Sequence, residues 1–114
     1  MTSSLVSIEK LTGSNYHTWK FDMKMMLMRE ELWAITNGKE TLPKDGTSKD
    51  DVLQEWAKKD EKALATICLA IAKSEQSHVH NCTTAAQAWK RLSDIYETRA
   101  TARKLYLWKR YFTS

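Results

Sequence analysis

The 114-residue chain is 42% hydrophobic and 28% charged, with three Gly and one Pro, a composition that excludes a collagenous, low-complexity or disordered polypeptide. A chain of this length buries roughly two thirds of its unfolded surface, so 1–114 reads as one domain needing neither a metal nor a disulfide to fold. The net charge of +4 is uneven: residues 1–60 carry nine basic and ten acidic side chains, 61–114 carry nine and four, and Arg99 to Ser114 holds five basic residues and no acid, which suits nucleic acid or an acidic protein face.

In chain order, Leu5, Val6, Ile8 and Leu11 form a short extended arm across whatever follows. Ser14 or Asn15, after Gly13, is the expected N-cap of a first helix from about Tyr16 to Leu32. At 100° per residue Tyr16, Trp19, Met23, Met26 and Leu27 share one stripe, while Phe21, Met25 and Met28 make a second on nearly the opposite side. A helix apolar on two sides is either sandwiched within its own fold, covered by the arm or the terminal helix, or meets another chain. The stretch Thr36 to Lys49, with Gly38, Pro43 and Gly46, reads as an irregular loop.

A second helix starts at Ser48 and Asp51 in S-x-x-D spacing and runs to about Lys73, with Val52, Leu53, Trp56, Ala63, Leu64, Ile67, Ala70 and Ile71 on one stripe. Asp60 falls inside that stripe, where a carboxylate is expected to pair with a Lys or Arg of a neighbouring helix. Thr84-x-x-Gln87 caps a third helix whose buried side is Ala85, Ala88, Trp89, Leu92, Ile95 and Tyr96, with Gln87, Lys90, Arg91 and Asp94 facing water. A fourth runs from about Thr101 to the end: Leu105, Leu107, Trp108, Tyr111 and Phe112 span about 160°, too wide for one neighbour to cover. The fold class is therefore an all-α bundle of four main helices.

Chemistry is sparse. Three Gly and three His leave no Gly-rich phosphate loop, no G-x-S-x-G and no H-E-x-x-H. His78-x-His80-x-Cys82 lacks a third group to hold a base and a fourth metal ligand, so it reads as a polar segment. No catalytic, metal or cofactor residue is assigned. Trp19, Trp56 and Trp89 fall on buried stripes and read as core anchors rather than base-stacking platforms. Arg99, Arg103, Lys109 and Arg110 surround Tyr106 on one side of the terminal helix, an arrangement fit for RNA phosphates. Cys68 and Cys82 are too few for a disulfide framework, which points to a reducing compartment. The longest nearly uncharged run, 63–73, is too short for a bilayer.

Leu11-Thr-Gly-Ser-Asn-Tyr-His-Thr-Trp19 closely resembles the opening motif of the Gag polyprotein of Ty1/copia-type LTR retrotransposons, Leu-x-Gly-x-Asn-Tyr-x-x-Trp. Thr84-Ala-Ala-Gln-Ala-Trp89-Lys-Arg-Leu92-x-x-Ile-Tyr96 followed by Arg103-Lys-Leu105 resembles a second signature of that family, and Leu32-Trp33 and Trp56 to Ala63 resemble its middle. The resemblance implies an N-terminal capsid lobe related to retroviral capsid N-terminal domains: Tyr16, Trp19, Trp56, Trp89, Leu92 and Tyr96 as core, a virus-like particle shell around retrotransposon RNA as function, and no enzymatic activity. It also implies a C-terminal capsid lobe and a zinc knuckle, neither of which occurs before Ser114. Self-association is expected through Phe21, Met25 and Met28 and through Leu107, Trp108, Tyr111 and Phe112, with RNA contact by the basic side of the last helix as the alternative role.

Overall fold

The computed structural model describes residues 8–42 and 50–113. It contains α1 (Tyr16–Arg29), a one-turn α2 (Trp33–Thr36), α3 (Asp50–Leu69), a 3-10 helix (Lys73–Val79) and α4 (Ala85–Thr113). The all-α expectation holds. The arm residues Leu5 and Val6 and the Ser48 cap lie outside the described residues, as do the side chains of Tyr111 and Phe112.

Asn15 precedes α1 but does not cap it. Its Oδ1 accepts the Thr12 N–H at 2.8 Å and its Nδ2 donates to the Lys10 carbonyl at 2.9 Å, so the side chain ties down the incoming chain instead. That chain is anchored at Leu11, fully buried, which makes a parallel bridge with Ile71: its N–H donates to Ala70 O at 2.8 Å and its carbonyl accepts from Ala72 N at 2.9 Å. The buried Trp19 indole also donates to Ala70 O, at 2.9 Å. This pairing explains why α3 stops at Leu69 rather than at Lys73: the backbone of 70–72 is committed to the N-terminal segment.

The first helix likewise ends three residues before the expected Leu32. Glu31 sits at φ 62°, its N–H bonds Met28 O at 3.1 Å and the Leu32 N–H reaches Leu27 O at 2.7 Å. That is the Schellman termination, built here on a glutamate where glycine is usual, and no glycine announced it. Leu32 is then free to bury beside Ile35 and Thr36, the latter's hydroxyl donating to Leu32 O at 2.8 Å. The expected loop thus opens with a helical turn ending at Thr36.

Asp60 is 6% exposed and corrects an expectation. Its Oδ1 accepts the Ala85 N–H at 2.9 Å, so the buried acid meets the positive N-terminus of α4 rather than a Lys or Arg. Thr84 Oγ1 accepts the Gln87 N–H at 3.1 Å, and Gln87 Oε1 turns back to the Thr83 N–H at 2.8 Å. The predicted capping box is present, with its return bond one residue earlier.

The third and fourth predicted helices are one. No Gly or Pro interrupts 85–113, and α4 runs 29 residues, roughly 43 Å at 1.5 Å per residue. Its first half buries Ala85, Ala88, Leu92 and Tyr96 against α3 and the 3-10 helix. Every side chain from Arg103 to Arg110 is exposed, because the helix has left the bundle. The radius of gyration of 17.0 Å and extents of 64 × 38 × 23 Å record the projection, since a compact chain of this length would have a radius near 13 Å.

Candidate functional site

The interior joins the two sequence motifs. Tyr16 and Trp19 come from the first, Trp89, Leu92 and Tyr96 from the second. Tyr16 stacks on Tyr96 with ring centroids 5.3 Å apart, Trp19 stacks on Trp89 at 5.9 Å, and Trp33 meets the edge of Trp89 at 5.3 Å. Such pairs contribute about 0.5–1.5 kcal/mol each beyond area burial. Tyr16, Trp19, Leu92 and Tyr96 are buried, while Trp56 and Trp89 are partly buried against the same core. Met26 is half-buried at the stripe's edge, and Val52, expected inside, is 49% exposed.

A polar edge finishes the aromatic row. Glu97 accepts from Lys20 at 2.8 Å, from the Ser93 hydroxyl at 2.6 Å and from the Tyr16 hydroxyl at 3.3 Å. The Lys20 and Ser93 bonds hold its carboxyl at about 2. Burial, helped by Glu97, pushes the Tyr16 phenol up to about 12. Tyr96 hydrogen-bonds Glu75 of the 3-10 helix, and burial followed by that carboxylate raises its phenol also. These phenols stay protonated at neutral pH as structural donors rather than proton carriers.

The His78, His80 and Cys82 segment is not extended. His78 lies in the 3-10 helix with Nε2 at 3.5 Å from Glu75 and its ring against the edge of Tyr96, whereas His80 is exposed. Among the described residues no group of three or more His, Cys, Asp or Glu is arranged to hold a metal ion. Cys68 and Cys82 are both free and half-buried, and burial followed by Cys82 raises the Cys68 thiol, which weakens it as a nucleophile. Among the described residues no helix is long and apolar enough to cross a membrane.

Among the described residues the fold leaves two groups of neighbouring large apolar side chains uncovered. On the outer face of α1, Phe21 is 62%, Met25 39% and Met28 48% exposed; neither the arm from Ile8 nor α4 hides them. On the projecting part of α4, Leu105, Tyr106, Leu107 and Trp108 are all more than half exposed. The predicted apolar and basic sides of that helix are therefore both outward, including Arg103, Lys109 and Arg110. Arg99 lies over the Tyr96 ring at 5.3 Å. Arg99, Arg103, Lys104 and His17 line a groove of about 410 Å³ between the start of α1 and α4. Sequence reading missed Leu69, 74% exposed, and Leu42, 49%. Leu69 faces out because it lies on the side of α3 opposite the fully buried Ile67.

The family model for the gag-polypeptide of LTR copia-type matches residues 23–114. The chain is 28% identical over 99 residues to a retrovirus-related Pol polyprotein from transposon RE1 of Arabidopsis thaliana, an alignment covering 82% of this chain and 7% of that protein. It is 29% identical over 99 residues to the corresponding polyprotein from transposon RE2 of the same plant, with 82% and 7% covered. To that from transposon TNT 1-94 of Nicotiana tabacum it is 26% identical over 113 residues, with 98% and 8% covered, a span that takes in the Leu11–Trp19 motif ahead of the family match. The chain spans less than a tenth of the length of these relatives. No solved structure matches it. With most of its length matched and both motifs built into one aromatic core, the chain belongs to the copia-type LTR retrotransposon gag-polypeptide family.

Proposed function

We propose that this gag domain is a structural capsid unit whose copies associate into a particle shell around the element's RNA, in the cytoplasm. The family match identifies a structural rather than a catalytic region. One observation carries the reading: Phe21, Met25 and Met28 on one side and Leu105, Leu107 and Trp108 on another are exposed together, and soluble monomers seldom present contiguous apolar patches of such side chains without a partner. Two different patches on one molecule suit a shell, because repeated modest contacts accumulate over many copies. Light scattering of RNA-free protein over a concentration series tests this. The mass-average should climb with concentration and fall back in Leu107→Ala/Trp108→Ala and in Phe21→Ala/Met25→Ala. Folded double variants with the wild-type mass distribution would remove the reading.

RNA contact is the second reading, favoured by the basic groove and by the absence of any acid after Glu97. Arg99, Arg103, Lys109 and Arg110 would neutralise about four phosphates, giving a log–log salt slope near −3 for single-stranded RNA. Fluorescence anisotropy with a labelled RNA measures it, and a slope near zero would dismiss it.

A further inference from the structure

The projecting end of α4 carries Arg103, Lys104 and Arg110 beside exposed Leu105, Tyr106 and Leu107. Elsewhere the surface holds its counterpart. At the start of α3 a groove of about 460 Å³ is lined by Glu40, Thr41, Asp51, Val52, Glu55 and Trp56. Its apolar lining comes from Trp56, whose indole donates to the Glu40 carbonyl at 3.3 Å, and from Val52, 49% exposed. Among the described residues its charged lining is wholly acidic. Lys59 reaches Glu40 at 3.4 Å, which leaves Asp51 and Glu55 to set the sign. No described side chain of the projecting helix lines this groove in its own chain.

We propose that the basic, apolar end of α4 of one copy docks in the acidic groove at the start of α3 of the next. The claim rests on the self-association reading above and names its complementary surfaces. Charge complementarity chooses this occupant: the helix end has apolar side chains for Val52 and Trp56 and cations for Asp51 and Glu55, whereas the outer face of α1 is flanked by Lys24 and Arg29 with Asp22 as its one acid, and offers a basic helix end no acidic pair. The exposed stretch is long enough to reach across the groove, since residues 103–110 span about 12 Å of helix. Because the two surfaces differ, the contact is head-to-tail, and it closes into rings or propagates without a limit set by pairing.

Charge reversal in nuclease-treated protein tests it, with folding checked by circular dichroism. Asp51→Lys/Glu55→Lys makes both surfaces basic, and Arg103→Glu/Arg110→Glu makes both acidic. Each variant alone should associate at least about tenfold more weakly than wild type, and an equimolar mixture should recover wild-type mass, because each helix end then finds an opposite groove. The milder Asp51→Asn/Glu55→Gln should lose association severalfold if the lysine variant fails to fold. Unchanged association of the folded single-surface variants, or a mixture that stays dissociated, would overturn the docking while leaving self-association through other faces intact. A wild-type chain that is monomeric throughout would overturn self-association and the docking together. Loss of mass in the helix variant only when RNA is present would overturn it in favour of the RNA reading.

Discussion

Replacing Asp60 separates two roles a buried carboxylate could play. Its Oδ1 satisfies the Ala85 N–H at 2.9 Å in a site where the residue is 6% exposed and Ala85 fully buried. Asp60→Ala strands that amide and removes a negative charge from the start of a 29-residue helix. A buried donor without a partner costs about 1–3 kcal/mol, and losing a favourable charge at a helix N-terminus adds about 0.3–1 kcal/mol. A total near 2–3 kcal/mol corresponds to a drop of roughly 10–20 °C in Tm for a domain of this size. Asp60→Asn keeps an oxygen acceptor in nearly the same place and should forfeit only about 1 kcal/mol. Urea unfolding followed by tryptophan fluorescence measures both. A cation-pairing role would make Asn as harmful as Ala, so equal losses, or an Ala variant within about 0.5 kcal/mol of wild type, would refute the cap.

Trp19→Phe removes the indole bond to Ala70 O and leaves space beside Trp89, and should cost about 1–3 kcal/mol in the same assay; the Ala70 carbonyl keeps its Leu11 partner, which limits the loss. Glu31→Gly relieves a left-handed backbone at φ 62° and should stabilise by roughly 0.5–1 kcal/mol; a destabilised variant would mean that the glutamate side chain contributes more than its backbone costs. Glu97 has its carboxyl lowered to about 2, so its contribution is present above the ordinary carboxylate range near 4.5 and is lost as pH falls toward 2. The pair with Lys20 is partly exposed and screened by solvent, so Glu97→Gln should flatten the acid side of the stability–pH curve by no more than about 1 kcal/mol, and an unaltered curve would discount the pair.

The buried stripes of α1 and α3 and the Thr84 cap were legible because they rest on local spacing and on one capping side chain. What sequence reading missed depended on distant partners or on backbone conformation. The 3-10 helix is held by Glu75 to Tyr96 and by Gln76 Nε2 to the carbonyls of Cys68 and Ile71 at 3.4 and 3.3 Å, contacts that periodicity cannot anticipate. The end of α1 was hidden because Glu31 occupies a glycine-like position. The unbroken α4 was divided in two because its side chains change from buried on one side at Tyr96 to exposed all round from Arg103, a change of environment rather than of helix. For the candidate surfaces, the outward face of Phe21, Met25 and Met28 followed from the 3.6-residue period, whereas the acidic groove needed Glu40 and α3 to be brought together.

The mass of the RNA-free chain, measured by light scattering from micromolar to millimolar concentration, tests the assembly role most directly. Steadily rising mass, reversed on dilution and diminished in Leu107→Ala/Trp108→Ala, is the predicted result. A single 13.2 kDa species at every concentration would contradict it.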